Sequence, residues 1–273
     1  MDRNRRPTPY PLDTLPARLF PPDGSETPST GSSASIDPYA FLSHFDTVFL
    51  IDDSANMLPY WNEVRSLLSQ IAPICTERDR DGVDVYFVNH HPRGYLFYAA
   101  LGQQALRSGY KHIGQATGVP GMRDNIAGIF ESAKPSGKCK LDHRLSCILD
   151  EYVSTYKYHV KCYGRHLRPL NLIVITAGIT HDNPVDTVIR TARALDELGA
   201  PAWQVGVQFF QVGNVEDGRQ GMEYADEVLS DALDIRDMVD TVTWSGRIGE
   251  LSPEALLKVV LGAMQRSIDR EKI

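Results

Sequence analysis

Apolar positions along the chain fall into short unbroken runs separated by stretches with helical spacing. Phe45 to Ile51 (FDTVFLI), Val83 to Val88 (VDVYFV), Leu170 to Thr176 (LNLIVIT), Gln204 to Phe210 (QVGVQFF) and Val239 to Val242 read as buried strands. They are too short for helices and rich in β-branched and aromatic residues. Between them, Tyr60 to Ile74 carries Trp61, Val64, Leu67, Leu68 and Ile71 on one face, which predicts a helix. Further helices are predicted over Arg123 to Ser132, Leu141 to Tyr152, Pro184 to Leu198 and Glu216 to Leu233. Gly199 and Pro201 stop the third of these, and Ser252-Pro253-Glu254 opens a last helix with Ser252 as N-cap. The stretch after Pro92 has no clear period.

Strands that alternate with helices, and are apolar throughout rather than at every second position, predict an α/β fold. Its sheet is mostly parallel and covered by helices on both faces. In such sheets ligands bind beyond the carboxyl ends of the strands. That rule selects three loops: Asp52–Met57, Asn89–Arg93 and Ala177–Asn183.

Composition adds a boundary. Of 17 prolines, 8 fall within the first 38 residues, and Asp23 to Ser35 is mostly Gly, Ser, Thr and Pro. Such a segment buries too little to offset its ordering entropy, so residues 1–36 are expected to be a disordered arm and residues 37–270 the folded domain. The formal net charge of −7 supplies no overall field for nucleic acid or an anionic membrane, and neither is expected as a partner. No apolar run approaches the roughly eighteen residues of a membrane span. The opening Met1-Asp2-Arg3-Asn4-Arg5-Arg6 leads into prolines rather than an apolar signal core, so a cytoplasmic location is expected. The four cysteines, Cys75, Cys139, Cys147 and Cys162, form no CxxC pair and are read as reduced thiols.

The loop after the first strand, Asp52-Asp53-Ser54-Ala55-Asn56-Met57, directs hard oxygen donors toward one point, a set that suits Mg²⁺. Phe45 to Ser54 (FDTVFLIDDS), preceded by DPYAFL at residues 37–42, resembles the opening of fungal intracellular von Willebrand factor A domain proteins. QVGVQFFQVG at 204–213, RDMVDTVTW at 236–244 and LLKVVLGA at 256–263 are similar to the same group. The resemblance implies a Rossmann-like sheet whose rim carries a metal-ion-dependent adhesion site built from three loops. Carried over by position, Asp52 and Ser54 are kept and Asn56 replaces the second hydroxyl. The threonine of the second loop falls on Cys139, and the aspartate of the third falls on Ala177. Asp52, Ser54 and Asn56 are therefore the candidate metal ligands, as a vestige with Mg²⁺ binding weak or lost. Sulfur is a poor ligand for magnesium, and Lys138 and Lys140 on the same rim repel a dication. A lysine ammonium taking the place of the ion is one expectation. Asp142 and Asp182 are neighbouring carboxylates, the latter also a capping residue before the Pro184 helix.

Other chemistry is weaker. Ser54 lacks the elbow of a serine hydrolase. Gly137-Lys138 lacks the upstream glycine of a phosphate loop, and no Gly-x-Gly-x-x-Gly follows the first strand. His90 and His91 are adjacent, which is awkward for one shared ion, and KYHVKCYGRHLR at 157–168 reads as a solvated helix end and turn. The resulting expectation is a non-enzymatic protein-binding module of von Willebrand A type with no cofactor. Its partner protein would be met by rim side chains Asp53, His91, Lys138 and Lys140. Two alternatives stay open: Mg²⁺-dependent adhesion through Asp52, Ser54 and Asn56, and an enzyme of unrecognised mechanism.

Overall fold

Pairing of the apolar runs builds the sheet. The computed structural model describes residues 40–79, 82–92, 109–113, 126–213, 215–216, 218–221, 235–244 and 259–262. Its strands are β1 (Asp46–Ile51), β2 (Val83–Phe87), β3 (Tyr110–Ile113), β4 (Leu170–Thr176), β5 (Val205–Val212) and β6 (Val239–Trp244). The α-helices are α1 (Trp61–Arg78), α2 (Ile126–Ser132), α3 (Leu141–Tyr163) and α4 (Pro184–Glu197). The expected arm, the expected start of the last helix at Ser252 and residues 222–233 of the helix from Glu216 lie outside the described residues.

The six strands lie in the order β3-β2-β1-β4-β5-β6. All pair in parallel except β3, which runs antiparallel on the edge of β2. This is a Rossmann-like α/β sheet, as expected, with its topological switch point between β1 and β4. Alternate residues of each strand feed opposite layers. Phe49 and Ile51 pack with Ile173, Ile175 and the Val64, Leu67 and Leu68 face of α1. Val48 and Leu50 pack with Leu172, Val174, Leu145 and Leu149 of α3 and Val188 of α4. Burying a large aliphatic side chain contributes about 1.5–3 kcal/mol, so two covered faces are ample for one domain.

Three elements differ from expectation. The helix from Trp61 runs on through Pro73 to Arg78. The helix from Leu141 continues eleven residues past Tyr152, because Tyr156 is also buried, and stops where Gly164 turns left-handed at φ 60°. The KYHVKCYGRHLR segment is thus a helix end followed by a turn, as read from sequence. Strand β3 was not foreseen. It reads exposed, exposed at its centre, and is held by Lys111, whose ammonium lies 2.6 Å from the Asp84 carboxylate.

Candidate functional site

The β1–β4 register sets Ile51 beside Ile175, so the next residue, Asp52, arrives beside Thr176 at the switch point. Asp52 is fully buried. Its Oδ1 accepts the Ser54 backbone N–H at 2.8 Å, an Asx turn, and its Oδ2 accepts the Thr176 hydroxyl at 2.9 Å. The Cys139 thiol, also fully buried, hydrogen-bonds the same carboxylate. Burial first, then the Asp52 charge, push that thiol well above the ordinary range. Backbone bonds stitch the loops: Ala55 N–H to Gly137 O at 3.0 Å, Ser136 N–H to Asp53 O at 2.8 Å, and His181 N–H to Cys139 O at 2.9 Å. Residues 52, 139 and 176–177 therefore converge, as the position-by-position carry-over required.

Asp53 corrects an expectation. It is 1% exposed and presents nothing to a partner; its carboxylate accepts the N–H groups of Asn89 at 2.7 Å and His90 at 2.8 Å. The β2 loop has no donors of its own kind to satisfy those amides, so the second aspartate of the pair turns inward. Burial raises its pKa to about 6, against the lowering effect of the two amide bonds. Beside it, three groups that sequence reasoning did not join form a line. His90 Nε2 lies 3.0 Å from the Tyr110 hydroxyl, which lies 2.9 Å from Ser132 Oγ, which donates to Ile129 O at 2.7 Å. With the serine proton committed to that carbonyl, Tyr110 donates to Ser132 and His90 donates to Tyr110. The series ends on a backbone acceptor and leaves Ser132 unactivated.

The lysines also depart from expectation. Lys138 and Lys140 are exposed, flanking buried Cys139, and neither ammonium occupies the space at Asp52; the thiol and the Thr176 hydroxyl do. Asn56 is half-buried in the 3-10 turn Ala55–Tyr60 and takes no part in the Asp52 bonds. His91 is half-buried at the end of the β2 loop. Asp182 is a cap, but of the neighbouring helix: its Oδ2 accepts the His143 N–H in the first turn of α3 at 3.2 Å, and Thr180 donates to its Oδ1. Asn183, which precedes α4, makes no side-chain cap. Thr176 and Thr180 were the missed site residues. The only signal for Thr176 was its place at the last position of the central strand.

Glycine sets the geometry of the third loop. Gly178 has φ +89°, and a Cβ there would sit 2.7 Å from Gly218 Cα. Gln211 locks this approach, donating to Ala177 O at 3.2 Å and Val215 O at 2.9 Å.

Magnesium takes six hard oxygens in near-ideal octahedral geometry. Both Asp52 oxygens already accept protein donors, Cys139 offers sulfur and Ala177 a methyl. Ser54 Oγ is the one buried oxygen here without a protein partner. The donor set does not fit a tightly held magnesium ion, and no group of three His, Cys, Asp or Glu side chains suited to a metal occurs among the described residues.

No protein-family model and no curated protein matches the chain. Among solved structures it is similar to the pilus adhesin SpaC from Lactobacillus rhamnosus GG, at 11% identity and a TM-score of 0.42 over 83% of this chain and 30% of that one. It is also similar to proximal thread matrix protein 1 from the mussel byssus, at 14% identity and a TM-score of 0.41 over 80% of this chain and 47% of that one. The chain spans less than half the length of either.

Proposed function

We propose that this chain is a non-enzymatic protein-binding module of von Willebrand A type whose rim works without a tightly held divalent ion. The observation that carries the reading is the Asp52 corner. Three loops meet at one carboxylate, and that carboxylate is closed by a backbone N–H, a hydroxyl and a thiol. Where an ion would bridge to an acidic partner group, Lys138 and Lys140 stand exposed on the outside of the loop and supply positive charge directly. A second reading, Mg²⁺-dependent adhesion through Asp52, Ser54 and Asn56, has one observation in its favour, the unpartnered Ser54 Oγ.

Thermal melts with 5 mM EDTA against ~5 mM Mg²⁺ separate the two, since a ligand held only by the native state stabilises it by about 2.7 kcal/mol at a hundred times its Kd. The proposal expects coincident melts. A rise with Mg²⁺ that Asp52→Ala abolishes replaces it with the second reading.

A further inference from the structure

Next to the closed Asp52 corner the rim opens into a cavity of about 110 Å³. Leu141 at the start of α3, Val185 and Val188 of α4 and Phe209 of β5 form its apolar walls, and Thr180 and Asp182 stand at its lip. Small-molecule sites occupy about 300–1,000 Å³. An apolar cavity of about 150 Å³ holds a single benzene. The space beside Leu141 suits one aliphatic side chain and is too small for a cofactor or metabolite.

Charge decides what accompanies that side chain. Lys140 directly precedes Leu141, and Lys138 lies two residues earlier, both exposed. His143 and His181 are exposed on the same corner. All four surround the N-terminus of a 23-residue helix, the end whose amides and dipole favour an anion. The carboxylates nearby are turned to other uses. Asp182 holds the Thr180 hydroxyl and the His143 N–H, while Asp142 and Asp186 lie in the first turns of α3 and α4. The charge this corner offers outward is positive.

We infer that the cavity and the lysine pair together read one short acidic stretch of a partner protein. An aliphatic side chain enters between Leu141, Val185, Val188 and Phe209 while a neighbouring carboxylate meets Lys138 or Lys140. The inference rests on the protein-binding reading of the rim and adds the class of peptide it takes.

Selection of a random dodecapeptide library on the full chain, followed by fluorescence polarisation with the labelled consensus peptide, tests it. The expected consensus pairs Asp or Glu with one Leu, Ile or Met. Truncating that aliphatic residue of the peptide to Ala weakens binding about thirtyfold, a change that leaves the protein untouched. Val185→Trp, which fills the cavity from a half-buried position, has the same effect. Lys138→Ala with Lys140→Ala weakens binding about tenfold and flattens its salt dependence. Binding that falls with the lysine pair but ignores both Val185→Trp and the peptide truncation overturns the cavity and leaves the rim reading standing. Binding that ignores every one of these changes overturns both. An absent or basic consensus, or one matching LPARLF at residues 15–20 of this chain, overturns the inference, the last by giving the cavity to the chain's own arm.

Discussion

At one end of the sheet Asp79 is closed by a guanidinium; at the other, Asp52 is closed by neutral donors. Asp79, 4% exposed, accepts the Thr47 N–H at 3.1 Å and Arg168 Nη1 at 2.6 Å. The same guanidinium reaches Asp46 at 2.8 Å and Ser43 O at 2.8 Å, so one cation ties the end of α1 to the starts of β1 and β4. Asp52 is as deeply buried and makes as many contacts, yet none of its donors carries a charge. A buried carboxylate with a matched cation is a structural joint, and losing one partner leaves an uncompensated charge inside. A carboxylate held only by dipoles keeps its negative charge at the rim, within reach of whatever docks there. Stability is concentrated at the first end and recognition is left to the second.

The comparison can be broken most sharply at Arg168. Arg168→Met strands Asp79 and is expected to lower the free energy of unfolding by about 3–5 kcal/mol in urea titrations. Asp53 sharpens it through pH. Its folded pKa, about 6, lies above the ordinary 3.8, so the folded state binds the proton more tightly. Its contribution is full below pH 3.8 and is lost as the pH rises through about 6. Wild type relative to Asp53→Asn should therefore lose about 2–3 kcal/mol between pH 4 and 7, read from denaturation at each pH. A flat difference would show that Asp53 is not buried as described. Asp52→Asn turns one amide hydrogen toward a donor and should cost about 1–3 kcal/mol. Smallest of all, Cys139→Ser keeps a donor against Asp52 and should shift stability by under about 1.5 kcal/mol.

Much of this layout was legible beforehand because it depends on unbroken apolar runs. Leu170–Thr176 is buried at every position, and its bounds were found without error. Strand β3 was invisible because its hold is electrostatic, a lysine on Asp84, rather than a hydrophobic period. The overrun of α3 past Tyr152 depends on one distant partner, His166 bonded to Tyr156, which no local window contains. At the site, the convergence of positions 52, 139 and 177 followed from strand order. The direction of individual side chains did not: adjacent Asp52 and Asp53 both turn inward, each toward amides of a different loop. Asp182 shows the same limit. Its type announces a cap, but only the packing of α3 beside the 177–183 loop decides which helix receives it.

The thiol lodged against Asp52 has a practical corollary. Cys162 is exposed and Cys147 half-buried, whereas Cys75 and Cys139 are sealed and held protonated by burial. A cysteine-specific dye added to the native protein marks Cys162 at once and reaches Cys139 only when the loop carrying it swings away. The labelling rate at that one sulfur is thus a built-in clock for how often the rim breathes, readable by mass spectrometry without adding any probe to the sequence.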